Sequence, residues 1–460
     1  MKNSKIILII FLIISGKFQG QEDLHTSNEK NLPPEVVEAI EERIKEDYTP
    51  SIAIAIIDST GIQYFNFGKI SKEGRKVDAN TIYEIGSVTK VFTGILLAQQ
   101  VLDGDLKLED EINNFMPNDI NVPVIGDTEI TFGHLTDHTS GFPRIPANLN
   151  STNPGNPYAD YTVSQMYEFI SDYQPVRTVG SEYEYSNLAQ GLLGHLLALN
   201  KNSNYEELVI QTIAKPLGMN VTRIEMNNRM KENLALGHSN GKIVENWDIS
   251  ILAGAGALKS STSDMAKFIA ANLGYIKTSL TEAMKLSHKI RHNKAGDMRV
   301  AMGWHIKKGS KGDIIWHNGG TGGYRAFTGF LKETGQGVVL LSNSSQSFDD
   351  IGFHLLDPGS ELTDIKYKSD VVDLPEPTLE KYVGLYELQS EFKIKITKEG
   401  KQLFAQPTGQ DRFEIYPEND TVFFLTVVKA KIIFNIKSGV VESMTLIQGG
   451  QETLGKKIEQ

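Results

Sequence analysis

No cysteine occurs among the 460 residues. That excludes disulfides, thiolate nucleophiles and cysteine-bound zinc or iron–sulfur centres, and it removes a lipid anchor on a cleavage-site cysteine. The ten histidines contain no His-Glu-x-x-His pattern, so a metal site is unsupported. Positive charge is in deficit: 46 lysines and arginines stand against 57 acids, a formal charge of −11. Such acidity argues against nucleic acid or an anionic membrane surface as partner and says little about a small-molecule or peptide substrate. The apolar run near the start, residues 6–14, covers nine positions where a bilayer needs about 20. Preceded by Met1-Lys2-Asn3-Ser4-Lys5 and followed by small residues, it reads as a secretory signal peptide cleaved near Gly20. The expectation is a periplasmic or secreted protein with no stable membrane insertion after cleavage.

At this length two domains are expected. Residues 35–47 have an amphipathic helical pattern, and the apolar runs 51–58 and 62–67 flank Ser59-Thr60-Gly61 as a hairpin. A mixed region follows, with helical periodicity clearest over 160–173, 188–198 and 262–273. Strand patterns return at 314–316, 324–331 and 338–341. Strands at both ends with helices between them predict an α+β fold: one antiparallel sheet made from the two chain ends, flanked by helices, with a helical subdomain. Residues 357–377 are polar, carry three prolines and read as a linker. Beyond them the strict alternation at 392–397, the run 431–436 and turn signals such as Lys437-Ser438-Gly439 predict a small all-β, barrel-like domain over 378–460.

The stretch with most chemical content is Gly86-Ser87-Val88-Thr89-Lys90. Apolar residues at Val88, Val91, Phe92, Ile95 and Leu96 keep helical spacing, and Gly104 ends the run. Ser87 is then expected in a first helical turn, with Lys90 one turn along on the same face. A lysine shielded from water can lose its proton near neutral pH and accept one from serine. Spacing alone is weak, because Ser27/Lys30, Ser239/Lys242 and Ser390/Lys393 share it. Two later stretches supply partners. Tyr185-Ser186-Asn187 offers a phenol, able to carry a proton where cations lower its pKa, and an amide with both donor and acceptor. Its bland alternative is a turn with Asn187 as a helix cap. Trp316-His317-Asn318-Gly319-Gly320 ends a strand with a histidine followed by glycines that let a substrate lie close to its edge.

Ser87-x-x-Lys90, Tyr185-x-Asn187 and His317-x-Gly319, in that order, resemble the serine β-lactamase and penicillin-binding-protein superfamily. The resemblance is greatest to its class C β-lactamase-like branch, which includes D-alanyl-D-alanine carboxypeptidases, D-aminopeptidases and esterases. The stretches 130–143, with His138-Thr139-Ser140-Gly141-Phe142-Pro143, and 253–258 strengthen it. It covers roughly residues 35–350 and implies a hydrolase domain over 21–356, between a signal peptide over 1–20 and the 357–377 linker. The C-terminal β domain resembles the lipocalin-like module attached to such hydrolases.

The resemblance implies that Ser87 is the nucleophile, Lys90 its proton acceptor and Tyr185 the partner in acid–base work. Asn187 would orient Lys90 and substrate, and the N–H groups of Ser87 and Gly320 would form an oxyanion hole, with each donor worth about 2.7–4 kcal/mol. One departure matters: His317 stands where β-lactamases usually carry lysine, so the fixed cation for a substrate carboxylate is missing. Arg325 is a candidate replacement. The function the resemblance implies is an acyl-enzyme hydrolase of D-alanyl peptides, β-lactam-like amides or small esters, whose mechanism needs no metal or organic cofactor. Alternatives are a class C-like β-lactamase and a non-catalytic penicillin-binding or sensor protein, the latter disfavoured because a binder does not need Ser87, Lys90 and Tyr185 together.

Overall fold

The computed structural model describes residues 31–458 except 125–127, 176, 294–297, 364–370, 390–391, 409–411, 427–429 and 449–450. The expected signal peptide lies outside the described residues, as does part of the expected linker. Among the described residues no helix is long and apolar enough to cross a membrane.

The run Ser51-Ile-Ala-Ile-Ala-Ile-Ile has no polar alternation because the strand it forms is covered on both faces. Strand β1 (Ser51–Asp58) lies between β2 (Gly61–Gly68) and the last strand of its sheet. Asp58 closes the β1–β2 turn by accepting the Thr60 N–H at 2.7 Å. The other strands are β3 (His292–Asn293), β4 (Arg299–Val300), β5 (His305–Gly309), β6 (Gly312–Gly320), β7 (Arg325–Leu331) and β8 (Gln336–Ser342). Their spatial order is β2-β1-β8-β7-β6-β5-β4-β3, with every pair antiparallel. Ile52 pairs with Ser342 and Ile57 with Gly337, so the two chain ends share one sheet, as expected.

Alternate residues of β1 enter two cores. Ala53, Ala55 and Ile57 face the larger one, built on helix α1 (Thr89–Asp103) and its neighbours, where Phe92 stacks on Phe268 at 4.4 Å. Ile52, Ile54 and Ile56 face a smaller core covered by the helices Pro34–Lys45 and Asp349–Leu356. Buried Arg43 joins those two helices through Asp350, with nitrogen–oxygen distances of 2.6 and 3.2 Å.

Helix α1 is buried nearly all round, beyond the single apolar face its spacing predicts. Its start also differs. Gly86–Val88 form a separate 3₁₀ turn and the α-helix begins at Thr89, because Gly86 adopts φ +49 to fit against β6. Strand β6 continues through His317 to Gly320, longer than its apolar run suggested.

The C-terminal strands Gly384–Gln389, Phe392–Glu399, Gln402–Pro407, Phe413–Pro417, Val422–Phe424, Ala430–Lys437, Val440–Gln448 and Gln451–Ile458 close an eight-stranded barrel. Its interior is filled by side chains including Tyr386, Ile396, Phe423, Phe434 and Met444. Leu374, within the expected linker, is buried in that same core, and the Val372 N–H donates to Pro417 O at 2.9 Å.

Ile54 has no solvent exposure and packs between two helices, so Ile54→Ala should lower unfolding stability by about 2–5 kcal/mol. A urea midpoint falling at unchanged slope checks this.

Candidate active site

Two glycines bring the site together. A Cβ on Gly319 would stand 1.9 Å from the carbonyl O of Ile85, and one on Gly86 would stand 2.7 Å from the N of Gly320. The turn carrying Ser87 therefore packs backbone against backbone on β6, at a distance no side chain permits. Ser87 and Gly320 border one cleft, together with Tyr158, Asn187, Trp247 and Ala255.

Lys90, one turn along from Ser87, has no solvent exposure. Its Nζ lies 3.0 Å from Ser87 Oγ, 2.9 Å from Asn187 Oδ1 and 2.7 Å from the carbonyl O of Ala255. Burial, and secondly the nearby Arg144 cation, hold the amine's pKa well below its ordinary value of 10.5. A neutral amine in this place donates to two oxygens and keeps a lone pair for the serine proton. Asn187 is free to reach it because Ser186, and not Asn187, caps helix α2 (Asn187–Asn200): the Ser186 hydroxyl accepts the Ala189 N–H at 2.9 Å.

Tyr185 is hydrogen-bonded to Ser87, and Lys90 Nζ lies 4.7 Å from its ring centre. Burial outweighs both the Ser87 bond and the Arg144 charge and pushes the phenol above its ordinary pKa. Tyr185 is thus a neutral donor at rest, not the acidified phenol that nearby cations would produce. Around it stand His138, stacked at 4.6 Å, and His305 and His317, each with ring centres 6.3 Å away. His138 Nδ1 accepts the Ser186 N–H at 3.0 Å and so holds the Tyr185-Ser186-Asn187 segment in place.

His317 is 1% exposed, stacks on His305 at 4.7 Å and lies beside Tyr185, away from the open cleft. Its Nδ1 is 2.5 Å from the carbonyl O of Asn318, an N–H donation that leaves Nε2 with the lone pair. Burial, then His305, then Lys90 drive its pKa well below 6.5, so the imidazole is uncharged at neutral pH. Arg325 does not replace the missing cation. Gly319 faces Ile85 and Ser87, whereas Gly320 faces the Arg325 guanidinium, so Arg325 is on the opposite side of the sheet. There it donates to the carbonyls of Thr321 and Tyr324 at 3.1 and 3.0 Å.

Sequence reasoning missed four residues at this site. Glu84 is a lone carboxylate in the short strand Ile82–Glu84, and that oddity was the available signal. Its Oε1 accepts from Asn246 Nδ2 at 2.7 Å and from the Trp247 N–H at 3.0 Å, which holds Trp247 against the cleft. Tyr158 meets Trp247 at 5.5 Å and is hydrogen-bonded to Asn187. Asn156 and Asp248 join their two loops by reciprocal hydrogen bonds of 2.8 Å. Arg144, exposed in its loop, has its guanidinium carbon 5.1 Å from the Tyr185 ring centre. No spacing pattern marks Tyr158, Trp247 or Arg144.

A serine bonded to a buried amine and a neutral phenol, in a cleft edged by strand amides, defines a serine hydrolase that works by acyl transfer. Residues 36–355 match the Beta-lactamase family, and the chain belongs to it. Residues 368–457 match a domain family described as of unknown function (DUF3471). A Beta-lactamase from Escherichia coli (strain K12) is 26% identical over 340 residues, which cover 66% of this chain and 86% of that protein. Penicillin-binding protein 4* of Bacillus subtilis (strain 168) is 26% identical over 423 residues, 83% of this chain and 88% of its own. Among solved structures, the Beta-Lactamase/D-Alanine Carboxypeptidase from Pseudomonas syringae has a TM-score of 0.63 at 23% identity, covering 71% of this chain and 98% of that one. The octameric penicillin-binding protein homologue from Pyrococcus abyssi has the same TM-score at 23% identity, covering 92% of this chain and 99% of its own. Both share the fold.

With a Cβ only 1.9 Å from Ile85 O, Gly319→Ala must part the Ser87 turn from β6. A displacement of about 1 Å at reacting groups costs about 100-fold in rate. The expected result is such a loss in covalent labelling of Ser87 by a fluorescent penicillin, with the far-UV circular dichroism of the wild type retained.

Proposed function

We propose that the protein is an exported hydrolase that acylates Ser87 with D-alanyl peptides, β-lactam-like amides or small esters and then releases the acyl group to water. The observation that carries this reading is the buried Lys90 Nζ at 3.0 Å from Ser87 Oγ, held by Asn187 and Ala255. As Oγ attacks the substrate carbonyl, the Lys90 lone pair takes its proton and the C=O electrons move onto oxygen. The N–H groups of Ser87 and Gly320 stabilise that oxyanion. Collapse of the intermediate breaks the bond to the leaving amine or alkoxide, which takes a proton from Tyr185 while Lys90 passes the serine proton on to the phenol. Water then attacks the ester and gives its proton to the neutral Lys90, and that proton returns to Ser87 Oγ as the acyl–oxygen bond breaks. Asn187 orients Lys90 and the substrate carbonyl. Gly319 gives the substrate a close approach to the strand edge, and His317 backs Tyr185.

The neutral, buried His317 weights the reading towards esters and D-amino-acid peptides, because efficient β-lactam turnover relies on a fixed cation at that place. The names of the relatives support a second reading, a class C-like β-lactamase.

Incubation of the mature protein and its Ser87→Ala variant with a fluorescent penicillin and a short-chain nitrophenyl ester distinguishes these. Ester hydrolysis that depends on Ser87 and outpaces penicillin turnover is expected. Faster penicillin turnover favours the second reading, and no Ser87-dependent adduct or hydrolysis removes both. The pH profile tests the base. Lys90 acts when neutral, so kcat/KM should rise with pH, and its acid-side midpoint should lie well below 10.5. Lys90→Arg, which cannot lose its proton, should cost at least about 100-fold at every pH.

A further inference from the structure

We infer that Arg144 binds the anionic group of the substrate, a carboxylate carried on the leaving-group side, and so takes the part that His317 leaves unfilled. The inference rests on the acyl-enzyme reading above. Arg144 follows Phe142-Pro143 in the loop beside the site, and its carbonyl O accepts the N–H groups of Asn187 and Leu188 at 2.8 and 3.4 Å. Its backbone is therefore pinned to the start of α2, next to a residue that holds Lys90. From that anchor the exposed side chain crosses the face of Tyr185, with the guanidinium carbon 5.1 Å from the ring centre.

Nearby cations are otherwise spoken for. Arg177 is paired with Glu184, and Arg291 with Asp137. Among the described residues no carboxylate pairs with Arg144. Lys90 is buried with three oxygen partners, Lys259 is 4% exposed and donates to Ile224 O, and Arg325 is behind the sheet. A substrate anion entering from solvent therefore meets Arg144. The placement also fits the chemistry. Tyr185 protonates the leaving nitrogen or oxygen, so the leaving group departs along the ring that Arg144 covers. A carboxylate on the carbon next to that leaving atom falls within reach of a planar guanidinium, which can take both its oxygens. The bond broken is the acyl–nitrogen or acyl–oxygen bond. The leaving group gains the Tyr185 proton and keeps its carboxylate on Arg144.

The test compares acetyl-D-alanyl-D-alanine with its C-terminal amide on the full chain, read as the ratio of the two kcat/KM values. The wild type should favour the acid, and Arg144→Gln should lower the ratio at least tenfold, mainly through KM for the acid, with Arg144→Lys between them. Raising salt from about 50 mM to about 0.5 M should erode the wild-type ratio and leave that of Arg144→Gln unchanged, because an exposed charge is screened. An unchanged ratio overturns the inference. So does an equal loss on both substrates with a shifted acid limb, which would mean that Arg144 acts only on Lys90 and Tyr185. Calorimetry in the Ser87→Ala background separates this result from failure of the hydrolase reading. Tighter binding of the acid than the amide, lost on adding Arg144→Gln, supports Arg144 even if the wild type turns over neither compound; equal binding of the two overturns it.

Discussion

The removal of the Lys90 amine from water is the constraint on which the site depends. A lone ammonium without solvent costs several kcal/mol, so the group is driven towards its neutral form. That form is the one that can accept a proton from Ser87 at 3.0 Å. Its enclosure is built from distant parts of the chain: Asn187 from the start of α2, Ala255 from a short buried helix, and a helix α1 sealed nearly all round. The apolar burial that stabilises the fold also sets the chemistry of the base.

The second constraint is contact between backbones. Ser87 lies beside Gly320 only because Gly86 takes φ +49 and Gly319 offers no Cβ to the Ile85 carbonyl. Strand β6 is in turn held by β5 and β7, and through β8 by the buried β1. Packing of isoleucines in β1 thus reaches the reacting serine through the sheet, which is stiff because both its faces are covered.

Around this centre the charges are arranged unevenly. On the β6 side a neutral imidazole stands beside Tyr185, away from the cleft, and Arg325 lies behind the sheet, whereas the loop on the other side presents Arg144 over the Tyr185 ring. Glu84, buried beneath Trp247, accepts from Asn246 and the Trp247 backbone through Oε1. Those two bonds place an aromatic wall at the cleft.

Local pattern carried much of this protein. The unbroken apolar run of β1, the hairpin at Ser59-Thr60 and the helical spacing after Ser87 are properties of neighbouring residues and could be read from them. The order of Ser87-x-x-Lys90, Tyr185-x-Asn187 and His317-x-Gly319 also stands in the sequence, and the fold brings the three together. In the barrel only two of eight strands were legible, because half-buried strands with mixed faces show their alternation weakly. What tertiary structure alone decided was environment: that His317 is buried and uncharged, that Tyr185 is a neutral phenol, that Arg325 faces away and Arg144 faces in, and that Tyr158 and Trp247 meet across the cleft. Residue type sets which protons a group can exchange. Its charge and direction depend on desolvation and on neighbours tens to hundreds of positions away, which become adjacent only when the chain has folded.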